Sequence, residues 1–281
     1  MRETRLPQDE QPGGFDVTRP HPARMYDYYL RGKDNYAAGR EAAEEVMRRA
    51  PQAAPSAREN RAWMLRVVRY LVREEGIRQF LDIGTGIPTE PNLHQAAQEV
   101  AAECRVVYVD NDPVVLAHAR ALMASTDEGR TEYIDADLRE PEDILARSEL
   151  QVALDFSRPI ALVMSAVGHF VDDLARLREI VTTLSKPLAP GSCLALSHAT
   201  ADFDPATAGA AAAVYGQLRA TASMTPRTHA EVLSLFDGCA LVEPGVVPVN
   251  EWRPYIPAAV GSAESAWIYG GVGEIDGGTG A

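Results

Sequence analysis

Hydrophobic positions along this 281-residue chain fall into two regimes. From Ser56 to Gly76 they recur at helical spacing, with Met64, Val67, Val68 and Leu71 on one apolar stripe. Ser56 followed by Glu59 predicts a capping box at the start of that helix, and Gly76 predicts its stop. From Gln79 the period changes. Five short apolar runs follow: QFLDI (79–83), RVVYVD (105–110), TEYIDAD (131–137), PIALVMS (159–165) and SCLALSHA (192–199). Helical patterns separate them, among them 113–124 behind an Asp112 cap, and 172–188. Strands apolar on both faces and alternating with helices predict a doubly wound, mostly parallel sheet in an α/β fold. Thr225-Pro226 is expected to cap a further helix running to Phe236. Runs at 240–247 and 265–270 then predict two last strands, paired antiparallel across a long loop, before a tail EIDGGTGA.

The N-terminal part is patterned differently. Residues 1–18 are polar and read as a disordered tail. Residues 19–50 hold Tyr26, Tyr28, Tyr29 and Tyr36, with seven basic against five acidic residues. Two short helices broken near Gly32 are expected there. The organisation predicted is a tail (1–18), a helical cap (19–55) and a single α/β domain (56–275). A cap with Tyr26, Tyr29 and Tyr36 facing a bound ligand would stack on it and exclude water.

Composition narrows the classes. With 46% hydrophobic and 24% charged residues the chain can bury a full core and is not disordered in bulk. No apolar run approaches the roughly 18 residues of a membrane span, and the charged N-terminus lacks a secretory apolar region. Cys104, Cys193 and Cys239 lie far apart and suit a reducing compartment, so a cytoplasmic protein without a membrane partner is expected. Twenty-seven basic against 40 acidic residues give a net charge of -13, which argues against a nucleic-acid partner. The histidines form no metal-ligand spacing, and Asp172-Asp173 read as acids opening a helix, so no metal is expected.

Candidate chemistry gathers where the strands end. The first strand runs into Asp82-Ile83-Gly84-Thr85-Gly86, and glycines two apart let a backbone turn sharply against a ligand. A dinucleotide fingerprint would have a third glycine at position 89, where this chain has Thr89. Asp82 just ahead of the turn favours a cationic ligand over a pyrophosphate. The second strand ends in Asp110-Asn111-Asp112, and an acid at this tip can accept both hydroxyls of a ribose. The third ends in Asp135-Ala136-Asp137-Leu138, where a carboxylate can accept from an adenine amine and Leu138 can cover the ring. Each also has a structural reading: a plain turn for the glycines, a helix cap for Asp112, a turn residue for Asp137.

Taken in order, these motifs resemble those of the class I S-adenosylmethionine (SAM)-dependent methyltransferases. More narrowly, Pro22-Ala23-Arg24-Met25-Tyr26-Asp27-Tyr28-Tyr29-Leu30, Gly32-Lys33-Asp34-Asn35-Tyr36 and Leu81-Asp82-Ile83-Gly84-Thr85-Gly86-Ile87-Pro88-Thr89 are similar to an actinobacterial SAM-dependent methyltransferase family. The resemblance spans residues 19–270 and implies a seven-stranded sheet with a reversed last strand. It implies SAM as cofactor, with Gly84, Thr85 and Gly86 at its methionine end, and Asp82 steadying the loop or receiving the ammonium group. Asp110 and Asn111 would hold the ribose, Asp137 and Leu138 the adenine, and Ser165 and Ala166 would line the site. Arg24 or Lys33 would pair with the cofactor carboxylate, under a lid that includes Tyr29.

The loop after the fourth strand, Ser165-Ala166-Val167-Gly168-His169-Phe170, carries neither an Asp/Asn-Pro-Pro-Tyr motif nor a Pro-Cys nucleophile. It resembles the His-containing loop of many small-molecule methyltransferases. His169 is the candidate general base on a hydroxyl or amine acceptor, with a packed, locally bonded histidine as the other reading. His198 is a further candidate. The function expected is methyl transfer from SAM to an oxygen or nitrogen of a small molecule. The rivals are a SAM-binding sensor without methyl transfer and a nicotinamide dehydrogenase, the latter disfavoured by Asp82 and Thr89.

Overall fold

The computed structural model describes residues 16–122, 125–255 and 266–275. The predicted N-terminal tail therefore lies almost wholly outside the described residues, as does the chain beyond Ile275.

Three helices open the chain: α1 (Pro22–Tyr29), α2 (Ala37–Arg49) and α3 (Ala53–Arg73). His21 caps α1 with its ring nitrogen, and Pro22 holds the first helical position. The helix α3 begins before the expected cap. Ser56 lies inside it and is buried, its hydroxyl accepting a hydrogen bond from the Trp267 N–H at 2.9 Å. The Ser-x-x-Glu pattern therefore serves a tertiary contact, not a helix start. Beyond α3, Gly76 adopts φ +66° and lets the Ile77 N–H return to the Leu71 carbonyl at 2.9 Å.

The alternating part then runs β1 (Gln79–Ile83), α4 (Leu93–Gln98), β2 (Arg105–Asp110), α5 (Pro113–Leu122), β3 (Arg130–Asp135), α6 (Pro141–Leu145), α7 (Ser148–Ala153) and β4 (Ala161–Ser165). It continues with α8 (Leu174–Ser185), β5 (Cys193–Ala199), α9 (Pro205–Gln217), α10 (His229–Leu233), β6 (Cys239–Leu241), β7 (Val247–Pro248) and β8 (Ile268–Ile275). The strand order is β3-β2-β1-β4-β5-β8-β6, parallel from β3 through β5, with β8 antiparallel to β5. Both β6 and β7 pair with β8, so a single edge column is split into two segments where seven strands were expected. This is the class I methyltransferase-like arrangement that the resemblance implies.

The apolar runs are buried on both faces, as the pattern requires. In β1 and β2, Leu81, Ile83, Val107 and Val109 enter one hydrophobic cluster, while Phe80, Val106 and Tyr108 enter the cluster on the opposite face. Several boundaries differ from expectation. The helix α10 is capped by Thr228, whose side chain and that of Glu231 form the capping box, while Thr225 bonds Asp172 instead. Part of the supposed tail, Glu274 and Ile275, belongs to β8. The part of that strand beyond the expected 265–270 was hidden by its glycines, which it needs: a Cβ at Gly273 would lie 2.7 Å from that of Cys239, and one at Gly271 3.0 Å from Val246.

The cap is not N-terminal alone. Helix α9, inserted between β5 and α10, joins α1, α2 and the start of α3 in a third hydrophobic cluster that includes Met25, Val46, Ala57, Ala211 and Tyr215. At its edge the Thr221 N–H donates to the Pro20 carbonyl at 3.0 Å, and Arg19 donates to the Arg219 carbonyl.

Candidate active site

The strand tips and the cap enclose a cavity of about 500 Å³. Its walls include Arg24, Tyr29, Asp82, Gly84, Thr85, Gly86, Asp110, Asn111, Asp137, Leu138, Ser165, Ala166 and His169. These expected residues thus meet in one space, at the carboxyl edge of the parallel strands, whereas Lys33, Tyr36 and His198 do not join them. Lys33 is exposed and does not line it.

The glycine loop is built by backbone constraints. Gly84 and Gly86 have φ +71° and +70°, a region costly for other residues. A Cβ on Gly84 would come within 2.3 Å of Val167, so the loop after β1 can lie against the loop after β4 only with glycine here. A Cβ on Gly86 would meet nothing, since that side faces the open cavity. The loop does not run directly into a helix, because α4 starts only at Leu93.

Two buried carboxylates flank this loop. Asp110 accepts from the Gly86 N–H and the Asp112 N–H, each at 2.9 Å and on different oxygens, which leaves each oxygen acceptor capacity. Burial pushes its pKa up to about 6 despite those bonds. Asp82, bonded by the Thr85 hydroxyl at 3.3 Å, is pushed up to about 7 by burial, with Arg61 pulling the other way. These are acids short of positive charge, a state a cationic ligand relieves.

Asp137 is in the opposite condition. Its carboxylate takes the Arg139 backbone N–H, the Arg139 guanidinium and the Asn111 amide. The Arg139 side chain is the main cause of its pKa falling to about 2. All its lone pairs are engaged, so the expected bond to an adenine amine needs one of these partners to give way. Leu138, beside it, remains an apolar wall.

The loop after β4 is held from below by a buried network. Asn60 on α3 donates to the Ser165 hydroxyl at 3.0 Å and the Tyr26 hydroxyl at 2.9 Å, and accepts from the Ser197 hydroxyl at 2.6 Å. Ser197 in turn accepts from the Ala166 N–H at 2.9 Å, pinning Ala166 at φ +54°. His169 follows, buried, with Nδ1 accepting from the Ala199 N–H at 3.4 Å. That contact leaves the ring hydrogen on Nε2. Burial, with His198 and Arg227 nearby, holds its pKa well below 6.5, so it is neutral. His198 is committed elsewhere, to the Ala199 carbonyl and to Arg227, each at 2.8 Å. It does not line the cavity.

The cap residues divide. Tyr26 and Tyr29 line the cavity, Tyr29 with its hydroxyl beside that of Tyr215, whereas Tyr36 lies outside it under the Arg24 guanidinium at 5.5 Å. Arg24 does not present a free guanidinium: Nε and Nη2 grip Asp112 at 3.0 and 3.1 Å, and Nη1 donates to the Asp16 carbonyl. It is a clasp between α1 and the N-terminus of α5. The cation that sequence reasoning missed is Arg61. It is half-buried in the cavity wall, donates from one nitrogen to the Thr89 and Pro91 carbonyls, and its buried Nε has no hydrogen-bond partner among the described residues. Its signal was present: Ala57, Arg61 and Met64 follow helical spacing, placing a charge on the buried face of α3.

An unpartnered guanidinium nitrogen, two carboxylates with raised pKa values and an apolar wall fit the carboxylate, ammonium, ribose and adenine parts of SAM. Among the described residues no group of three or more His, Cys, Asp or Glu side chains is placed to hold a metal ion. No described helix is long and apolar enough to cross a membrane.

Comparison with known proteins agrees. A family model described as "S-adenosyl methyltransferase" matches residues 8–276. The crystal structure of a DUF574 family protein from Streptomyces avermitilis is 48% identical, covering 92% of this chain and 99% of that one, with a TM-score of 0.89. A Thermobifida fusca YX protein provisionally assigned as a methyltransferase is 37% identical over 94% of this chain and 98% of its own, with a TM-score of 0.86. No curated protein matches significantly. With its sheet, its cofactor-fitting cavity and a family match over most of its length, the chain belongs to the S-adenosyl methyltransferase family and is a SAM-dependent methyltransferase.

Proposed function

We propose that this methyltransferase acts on an oxygen or nitrogen of a small-molecule acceptor seated beside His169. The observation that carries this reading is the cavity of about 500 Å³, which runs from the strand tips under the cap and has the size of a small-molecule site. SAM supplies an electrophilic methyl group on a sulfonium. The protein's part is to hold both reactants in line and exclude water. Arg61 would meet the cofactor carboxylate, a role expected of Arg24 or Lys33, and Asp82 its ammonium group. Asp110 would take the ribose hydroxyls on its remaining lone pairs, and Leu138 would cover the adenine. Arg24 contributes by fastening the cap through Asp112.

His169 enters this reading in a changed role. With Nδ1 turned to the Ala199 N–H, its neutral ring offers an Nε2 hydrogen, so it orients the acceptor as a donor. Acting as a base at Nε2 would require moving the hydrogen to Nδ1, where it would face another donor. The test is incubation with methyl-labelled SAM and a cell extract separated into small-molecule, protein and nucleic-acid fractions. Label is expected in the small-molecule fraction. Label in either polymer fraction instead would overturn the reading.

A further inference from the structure

The cavity changes character away from the strand tips. Its charged lining residues sit at or just after the tips, on the segment from Asp16 to Arg24, or at Arg61. The far wall, from α2, the start of α3 and α9, is made of Val46, Ala50, Ala53, Ala57, Ala208 and Ala211. These small side chains both pack the helices together and leave open space on the side that lines the cavity. Aromatic rings complete the chamber. The His169 and Phe170 rings are 4.3 Å apart and the Phe170 and Tyr215 rings 5.9 Å, so ring surface continues from the catalytic loop into the chamber, with Tyr29 and Trp267 also on the wall. Burial pushes the Tyr215 phenol up to about 12 and raises that of Tyr29 well above its ordinary 10, so both stay neutral. An ionised ligand would find no counter-charge in this part of the cavity, and desolvating it would not be repaid. Flat apolar rings would find stacking and edge contacts.

We infer that the acceptor is a neutral, largely apolar ring compound whose hydroxyl or amine reaches His169 while its ring fills the chamber between α2, α3 and α9. This rests on the proposed small-molecule function and narrows it to a substrate class.

The test uses 2-naphthol and 2-naphthoate, rings of the same size that differ in charge, titrated calorimetrically into the full-length protein with S-adenosylhomocysteine present. The naphthol is expected to bind at least about tenfold more tightly than the naphthoate, the scale of an uncompensated buried charge. Ala211→Phe, and independently Ala208→Phe, should each fill the chamber and weaken naphthol binding by about tenfold or more. Both should keep the rise in melting temperature caused by S-adenosylhomocysteine, which also reports that they fold. Equal or tighter binding of the naphthoate, no binding of the naphthol, or unchanged naphthol affinity in both folded variants would overturn the inference. Failure of S-adenosylhomocysteine to stabilise the wild-type protein would count against the cofactor site instead, and the naphthol titration without it still reads the chamber.

Discussion

Asp82 and Asp110 set the pH behaviour of the site. Both have folded pKa values, about 7 and about 6, above the ordinary 3.8. The unfolded chain releases these protons from about pH 4, while the folded protein keeps them to about pH 6–7. The two aspartates therefore lower the stability of the ligand-free protein as pH rises through that window, and no further above it. An ammonium group and ribose hydroxyls favour the ionised forms. Affinity for S-adenosylhomocysteine should then rise from about pH 5.5 to about pH 8, with proton release on binding near neutrality. Calorimetry in buffers of different ionisation enthalpy measures both, and proton uptake would contradict the assignment. Asp110→Ala should weaken binding by about 1–3 kcal/mol, the scale of hydrogen bonds to a charged acceptor. His169 behaves differently, because it is already neutral across this range. If it orients the acceptor as a donor, His169→Gln should retain most of kcat and His169→Phe should not. A loss of about 10²-fold or more in His169→Gln would restore the general base.

Among the elements, the decisive junction is the clasp of α1 on α5. The Arg24 and Asp112 side chains are both buried, and breaking such a pair from one side costs about 3–5 kcal/mol. Arg24→Ala should lose that much stability in urea unfolding, and hydrogen exchange across 22–29 should quicken more than across β1 and β2. An unchanged exchange pattern would mean that the cap holds without the clasp. How far elements were legible followed from how strongly burial marks a sequence. Strands 79–83 and 105–110 could be read to the residue because Phe80, Leu81 and Ile83, and Val106 to Val109, form short apolar runs buried on both faces, with polar residues only at Gln79, Asp82, Arg105 and Asp110. Helix α9, PATAGAAAAVYGQ, was not, since alanine around the whole helix gives no periodic stripe. Ser56 was misread for a related reason: a hydroxyl that bonds Trp267 far along the chain looks locally like a cap.

For the whole molecule, charge sets the choice of partners. At -13 the protein should show no appreciable affinity for random duplex DNA at physiological salt, and a sub-micromolar binding curve in an anisotropy assay would refute this. By itself the sequence determined the sheet, the glycine turn and the acids at the three strand tips. Those depend on neighbours a few residues apart and on a burial pattern that composition alone can carry. It marked many of the residues that line the cavity at the strand tips, but not Arg61 or Arg139. What the tertiary structure decided was partnership. Only the fold shows that Arg24 is taken by Asp112 and Asp137 by Arg139, that Arg61 keeps an open donor, and that His169 turns its accepting nitrogen to Ala199. Only the fold brings α9 from beyond residue 200 onto α2 and so closes the apolar part of the cavity. A hydrogen bond depends on ångström distances between segments remote in sequence, and spacing along a chain does not encode them.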